Sequence, residues 1–514
     1  MKDIIKYFVV FVVVAGIFQS CYSDRSTLDL NPISGVNIDT TDMVNFSVYQ
    51  FDFLKVIPKL QMGSLKDTDL IYEWKINLVP DDTLYQIISN DRNLDYEVKF
   101  KPNTSGKTHQ LYYTVTDKNT GLDYIMTWPV TVLNNIGEGL IIAETYDGNS
   151  TEISHIMSPE VTTGFNDVSV KYEVFSSLNN GIRIDGLIKD MRFTKIYGVD
   201  ALLGITDTDI YRINTIDYTL GGKNNDLFFT SKATYLPQSL GGVRQNDLLI
   251  EGGKLTATFL GASTKFGLPF DSQFTVPTYV ASNPFTYNPL PIILSFYDEV
   301  NGHFVYQPSF NSWGDRNMYV TPSVIDGPFN PSELPNKINL AASVSTEGEF
   351  RHLLKDQNSS AVEIFILDSG QDNYPTVIAP APKSVYDISN APDIQNASHF
   401  VFLDNQRIMY YASGSKIYAV LYAGTTPVIE HRYTIPDGAE ITTMQVFQQA
   451  DYPYKSDPNQ YLASNNKQLI VSTYGSEGTV YLLPFVNVGI GNIDQANIRK
   501  FTGFGRISAI TTQL

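Results

Sequence analysis

Cysteine is almost missing from this 514-residue chain: there is one, Cys21, so no intrachain disulfide can hold the fold together. Basic residues are in deficit, with 36 Lys and Arg against 54 Asp and Glu and a formal net charge of −18. Such a surface repels nucleic acid and anionic membrane, and suits neutral ligands or protein partners. The six His are scattered, with no close pair in sequence. Signatures of catalysis are missing too: there is no Gly-rich phosphate loop, no G-x-S-x-G elbow and no H-E-x-x-H. Asp207-Thr208-Asp209 opens like a calcium loop but lacks the Gly and distal Glu that such a loop needs, so it reads as a hairpin turn. No metal, cofactor or catalytic residue is expected. Some carboxylate pair among so many will always lie at glycosidase spacing, so their abundance identifies no active site.

The longest apolar run at the start, Tyr7–Phe18, is too short to span a bilayer comfortably. Lys2 and Lys6 flank it, and Gln19-Ser20 leads directly into Cys21. A positive end, a short apolar stretch and a small residue before the cut describe a secretory signal over residues 1–20. A Cys just after the small residue resembles a bacterial lipobox, with Phe18 where the motif usually has an aliphatic residue. That resemblance implies cleavage before Cys21 and its lipidation, hence an outer-membrane protein held through the lipid anchor alone. Residues 21–42 are polar (Ser23, Asp24, Arg25, Ser26, Asn31-Pro32) and read as a flexible tether. Asp24 faintly resembles the surface-export signals of Bacteroidetes lipoproteins, which implies display at the cell surface.

What the chain has in plenty is aromatic and strand-forming side chains, 32 Tyr and 29 Phe among them. Its length predicts at least two domains. Residues 43–134 read as one β-sandwich, with strands at Val44–Phe51, Ile71–Asn77, Tyr96–Phe100, Gln110–Asp117 and Tyr124–Leu133. Trp74 falls where a sandwich buries a large aromatic, and Leu111–Asp117 alternates cleanly before a hairpin into Met126–Val132. These features resemble the PKD-like, immunoglobulin-type domains of bacterial surface proteins. Core packing is the expected role of Trp74 and Trp128.

From residue 137 to 514 the unit is a hairpin, clearest in Arg407–Tyr422: strand, Ser413-Gly414-Ser415 turn, returning strand. Ile417, Ala419 and Leu421 point one way, Tyr418, Val420 and Tyr422 the other. Both faces are apolar, as in the middle strands of a propeller blade covered on both sides. Further copies are Leu140–Ile156, Leu202–Ile213, Asp247–Phe259, Ile292–Tyr306, Asn339–Leu354 and Leu469–Phe485, spaced 45 to 67 residues apart. A blade takes roughly 40 to 50 residues plus loops, so seven copies predict a seven-bladed β-propeller. The fifth copy is the least regular, which leaves six or eight open. Glu440–Met444 and Arg506–Ile510 share one pattern and read as innermost strands. Ile507–Thr511 is expected to pair with Leu140–Thr145 and close the ring, since an open ring leaves strand edges unpaired.

The whole layout, lipobox, immunoglobulin-type domain and long β-rich region, resembles the PKD-like family lipoproteins of Bacteroidetes. The phrase Gly139–Glu144, Gly148-Asn149-Ser150, Glu152–Ile156 carries the likeness most specifically, with Leu140 where a Trp is common. The resemblance implies work beside a TonB-dependent transporter and its SusD-like lipoprotein, and it transfers no catalytic residue. The most suggestive binding stretch runs from Pro269 to Trp313. It carries Phe270, Phe274, Tyr279, Phe285 and Tyr287, then Phe310, Asn311, Trp313, Asp315 and Arg316. Sugars and aromatic peptides stack on such rings, whereas the plainer reading has the rings cap the fourth blade. Three functions follow: a non-enzymatic protein presenting an oligosaccharide or peptide to the uptake complex, a propeller hydrolase or lyase acting on polysaccharide, and a structural scaffold.

Overall fold

The computed structural model describes residues 35–514 apart from 42, 44, 101, 104–106, 197–198, 244–245, 259–262, 272, 286–291, 309–316 and 374. The signal segment, Cys21 and most of the tether therefore lie outside the described residues. The described chain is nearly all β.

The first unit is a sandwich. Its larger sheet has five strands in the order Phe46–Tyr49, Asp123–Leu133, His109–Asp117, Leu70–Asn77 and Tyr85–Ser89. His109–Asp117 alternates buried and half-buried along its whole length, as a strand with one face on a core must. That inner face buries Leu111, Tyr113 and Val115 with Trp74 and Trp128. Two small pairs cover it, Phe53–Val56 with Leu94–Glu97 and Asn37–Asp39 with Lys59–Gln61. Residues 36–39, which the polar composition assigns to the tether, thus belong to the sandwich: Val36 enters its core and Ile38 packs beside it. Two apolar residues are too short a signal to stand out from a polar segment.

The sandwich sits on the region that follows. Asn135 Nδ2 donates to the Gln50 carbonyl at 3.2 Å, Phe51 packs against the core beneath, and Lys171 pairs with Asp52 at 2.9 Å.

Seven sheets then make a ring of blades, each with its innermost strand on the axis; blade 1 takes that strand from the far end of the chain. Those innermost strands are Arg506–Gln513, Asp190–Ile196, Pro237–Val243, Ala281–Ser282, Lys337–Val344, His399–Phe402 and Glu440–Val446 for blades 1 to 7. Seven hydrophobic clusters fill the gaps between neighbouring blades. Blade 6 shows why the hairpin phrase is apolar on both faces. Its strand Ile408–Ser413 is buried throughout; Met409 and Tyr411 enter the cluster shared with blade 5, and Ile408, Tyr410 and Ala412 the one shared with blade 7. The returning strand divides likewise, with Tyr418 and Val420 on one side, Ile417 and Ala419 on the other.

One hairpin is displaced from its expectation. Asn339–Leu354 spans the first two strands of blade 5, whereas the middle hairpin pairs Phe350–Asp356 with Val362–Asp368. The cause is turn chemistry. Gly348, at φ +87, takes the left-handed conformation in the first turn, while the second closes without glycine through Asp356 N–H donating to the Ala361 carbonyl. Asp207–Asp209 forms the turn between Val199–Ile205 and Ile210–Asn214, with Thr206 N–H donating to the Asp209 carbonyl at 2.9 Å.

Closure runs as the sequence pattern predicts. Arg506–Gln513 pairs antiparallel with Gly139–Thr145, including Ile142 with Ile510, across a bulge at Ala143/Glu144. Glu144, fully buried, accepts from Ser154 Oγ and from the Gly505 N–H just before the closing strand. Burial pushes its pKa up to about 7, against the pull of those hydrogen bonds, and Glu152 adds to the rise. A raised carboxyl pKa means the fold favours the protonated form. This stabilisation is complete below the ordinary value of about 4.5 and is lost as pH rises through about 7. Glu144→Gln, which keeps an uncharged group there, should therefore gain Tm over the native chain at about pH 8 and lose that advantage at about pH 5. Scanning calorimetry of both chains across that range checks it.

Candidate functional site: the central channel

The innermost strands stand around the axis, and runs of consecutive residues on them line it, such as 190–193, 240–242 and 342–344. Around that axis lies a cavity of about 470 Å³ to which the innermost strand of every blade contributes. It is built mainly from the last residues of these strands, such as Val344, Phe402, Val446 and Thr512. The segment 447–467 of blade 7 forms its floor, with Gln448, Ala450 and Tyr452 in the lining.

The floor is tied to the ring on several sides. Thr512 Oγ1 of blade 1 donates to the Gln448 carbonyl at 2.9 Å. Gln449 Nε2 donates to Glu138 at 2.7 Å, and Ser464 Oγ donates to the Glu160 carbonyl at 2.7 Å. Tyr452 packs edge-on against Phe285 of blade 4, ring centroids 6.4 Å apart. It also donates its hydroxyl to Asp404 Oδ2 of blade 6 at 2.8 Å. Blades 4 and 7 face each other across the ring, so this one residue bridges the channel.

Three charged residues line the cavity. Asp404 is about nine-tenths buried; Gln448 Nε2 at 3.2 Å and Asn466 Nδ2 at 3.4 Å join Tyr452 on its Oδ2. Burial pushes the Asp404 carboxyl above its ordinary range, with the Tyr452 hydroxyl and Arg351 pulling the other way. Its Oδ1 is buried with no hydrogen-bond partner among the described residues. Asp190 accepts from Leu240 N–H at 2.7 Å, and enclosure by the surrounding protein raises its pKa too. Arg192, two residues on and so on the same face of its strand, lies in a notch. A Cβ on Gly242 would sit 2.0 Å from its Nη2, so any other residue there would displace the guanidinium from this position. Asp247 stands behind it, 3.6 Å from Nε, and is held by Thr194 Oγ1 at 2.6 Å.

The stretch singled out in the sequence meets this cavity at one point. Phe285 lines it, while Phe274 is buried in the core between blades 3 and 4 and Phe270 packs against that core; for these two the plainer reading holds. Tyr279 is half exposed just before the innermost strand of blade 4, and its carbonyl accepts from Asn339 Nδ2 at 2.7 Å. Enclosure, then the charge of Asp190, raises its hydroxyl pKa. Tyr287, Phe310, Asn311, Trp313, Asp315 and Arg316 lie outside the described residues. Sequence reasoning missed Asp190, Arg192, Asp404 and Tyr452, which stand on three blades far apart in the chain. The usable signal was the length of 447–467, since long loops in compact domains are often functional.

The PKD-like family model matches residues 21–186. The match covers the sandwich and continues through Ser150–Met157 of blade 1, so it includes the junction phrase at Gly139–Ile156. No curated protein matches the chain in sequence. Among solved structures, a quinoprotein alcohol dehydrogenase-like protein from Bacteroides thetaiotaomicron is similar at 12% identity. The likeness covers 93% of this chain and 99% of that one with a TM-score of 0.47. The Swd1 β-propeller domain of Myceliophteria thermophila is similar at 13% identity, over 62% of this chain and 87% of that one, with a TM-score of 0.35. The yeast Nup82-Nup159-Nup116 nucleoporin complex contains a chain similar at 8% identity, over 66% and 95%, with a TM-score of 0.36.

Proposed function

We propose that this chain is a non-enzymatic binding lipoprotein of the outer-membrane surface, anchored through lipid on Cys21. It captures or presents an oligosaccharide or peptide to a TonB-dependent transporter and its SusD-like lipoprotein, and the propeller channel is its ligand site. The observation that carries the reading is the floored cavity on the axis, within the roughly 300–1,000 Å³ of small-molecule sites and lined by polar groups from several blades. The lipobox-like N-terminus supports the anchoring, and the net charge of −18 supports a ligand that is neither nucleic acid nor lipid headgroup.

Two measurements test it. Cys21→Ser should move the protein from the membrane to the soluble fraction, since lipid is the only anchor proposed; palmitate still entering the variant would refute the anchoring. Residues 22–514, titrated with panels of oligosaccharides and of peptides, should bind members of one class saturably and leave them uncleaved. Cleavage products would favour a hydrolase or lyase. Silence from both panels, with the transporter still co-purifying, would favour a scaffold.

A further inference from the structure

Resting on the channel as the ligand site, we propose that its ligand is a neutral sugar of one or two rings, held by hydroxyls shared between Asp190 and Arg192 on the wall and Asp404 at the floor. The charge balance of the cavity makes the choice. Two carboxylates and one guanidinium line it, and a further carboxylate, Asp247, stands behind the guanidinium. Between protein walls an added anion would meet a net negative lining, which disfavours uronates and acidic peptides. A cation would suit the carboxylates but would meet Arg192. A hydroxyl both donates and accepts, so adjacent hydroxyls of a sugar can give to Asp190 and take from Arg192 without adding charge.

At each end of the site one buried polar atom lacks a hydrogen-bond partner among the described residues. Among the described residues Asp404 Oδ1 is buried without a hydrogen-bond partner, so a donor that reaches it satisfies an otherwise unpaired acceptor. Among the described residues the Arg192 Nε has no hydrogen-bond partner, Asp247 Oδ1 standing 3.6 Å away. The Gly242 notch gives the fork its room, and Asp247 stands 3.6 Å behind it. Phe285 and Tyr452 supply ring surface in the lining for the apolar face of a sugar. A cavity of about 470 Å³ has room for one or two rings and excludes a long chain from lying wholly inside.

The test uses residues 22–514 on an array of neutral glycans, followed by titration calorimetry. Its probes are the best neutral disaccharide, digalacturonate and the tripeptide Ala-Ala-Ala. A neutral disaccharide should bind best. Asp404→Asn, Arg192→Gln and Gly242→Ala should each weaken it about tenfold or more with Tm unchanged, the last by displacing the guanidinium. Ser343→Trp, which fills the cavity, should abolish it. Preference for digalacturonate or the tripeptide, or silence across the neutral array, would overturn the sugar assignment. A disaccharide that binds the Ser343→Trp chain as well as the native one would instead overturn the channel as the site.

Discussion

Removing residues 505–514 is expected to turn a soluble propeller into insoluble or protease-sensitive protein. The deletion strips the innermost strand from blade 1 and exposes the edge of Gly139–Thr145 along its length, and an unpaired edge is a template for aggregation. It also removes Ile507 and Ile510 from the core between blades 7 and 1 and Ala509 from the core between blades 1 and 2. The bidentate pair of Arg506 with Glu440 at 2.9 Å goes with them, as do the hydrogen bonds from Gln513 Nε2 to the carbonyls of Ile136 and Gly137. Because the same strand serves two interfaces, no local repair is available. Solubility and limited proteolysis of the truncated chain check this; a truncated protein that melts like the full-length one would refute the closure.

Trp74→Ala is expected to cost the sandwich about 3–5 kcal/mol, the usual range for emptying a large aromatic site. Trp74 has no exposed surface; it stacks on Tyr113 with ring centroids 4.1 Å apart and faces Trp128 at 6.2 Å. Its Nε1 donates to the Asp91 carbonyl at 2.9 Å, which fastens a loop on the covering side. The stack occupies the middle of the core, so the cavity cannot collapse without moving both neighbours. Denaturant unfolding followed by far-ultraviolet dichroism should show an early transition from the sandwich with the propeller transition little changed. A single unshifted transition would contradict the assignment of Trp74 to this core.

The ring was legible because its physics repeats. Middle strands covered on both faces must be apolar on both, and a glycine turn between two such strands is a strong local mark, as in Ser413-Gly414-Ser415. Where the mark is absent, in the 357–361 turn of blade 5, the pattern points one strand early. Innermost strands are harder to read, because their axial side chains face a polar channel. Pro237–Val243, with the sequence PQSLGGV and mostly half-buried residues, has no clean period. Two of the seven, Glu440–Val446 and Arg506–Gln513, were found because they share a phrase. The candidate site was scarcely legible: Asp190, Arg192, Asp404 and Tyr452 have no common spacing and meet only once the ring closes, and the notch for Arg192 depends on a glycine in a different blade.

Hydrogen–deuterium exchange on residues 22–514, with and without the best-binding neutral disaccharide, tests the channel most directly. Ligand should slow exchange at the backbone amides of 401–404 and 447–454, the floor and the wall beside it, and at 190–193 across from them. Protection confined to 269–280 and 309–316, or to the sandwich, with the floor unchanged, would contradict the channel as the ligand site.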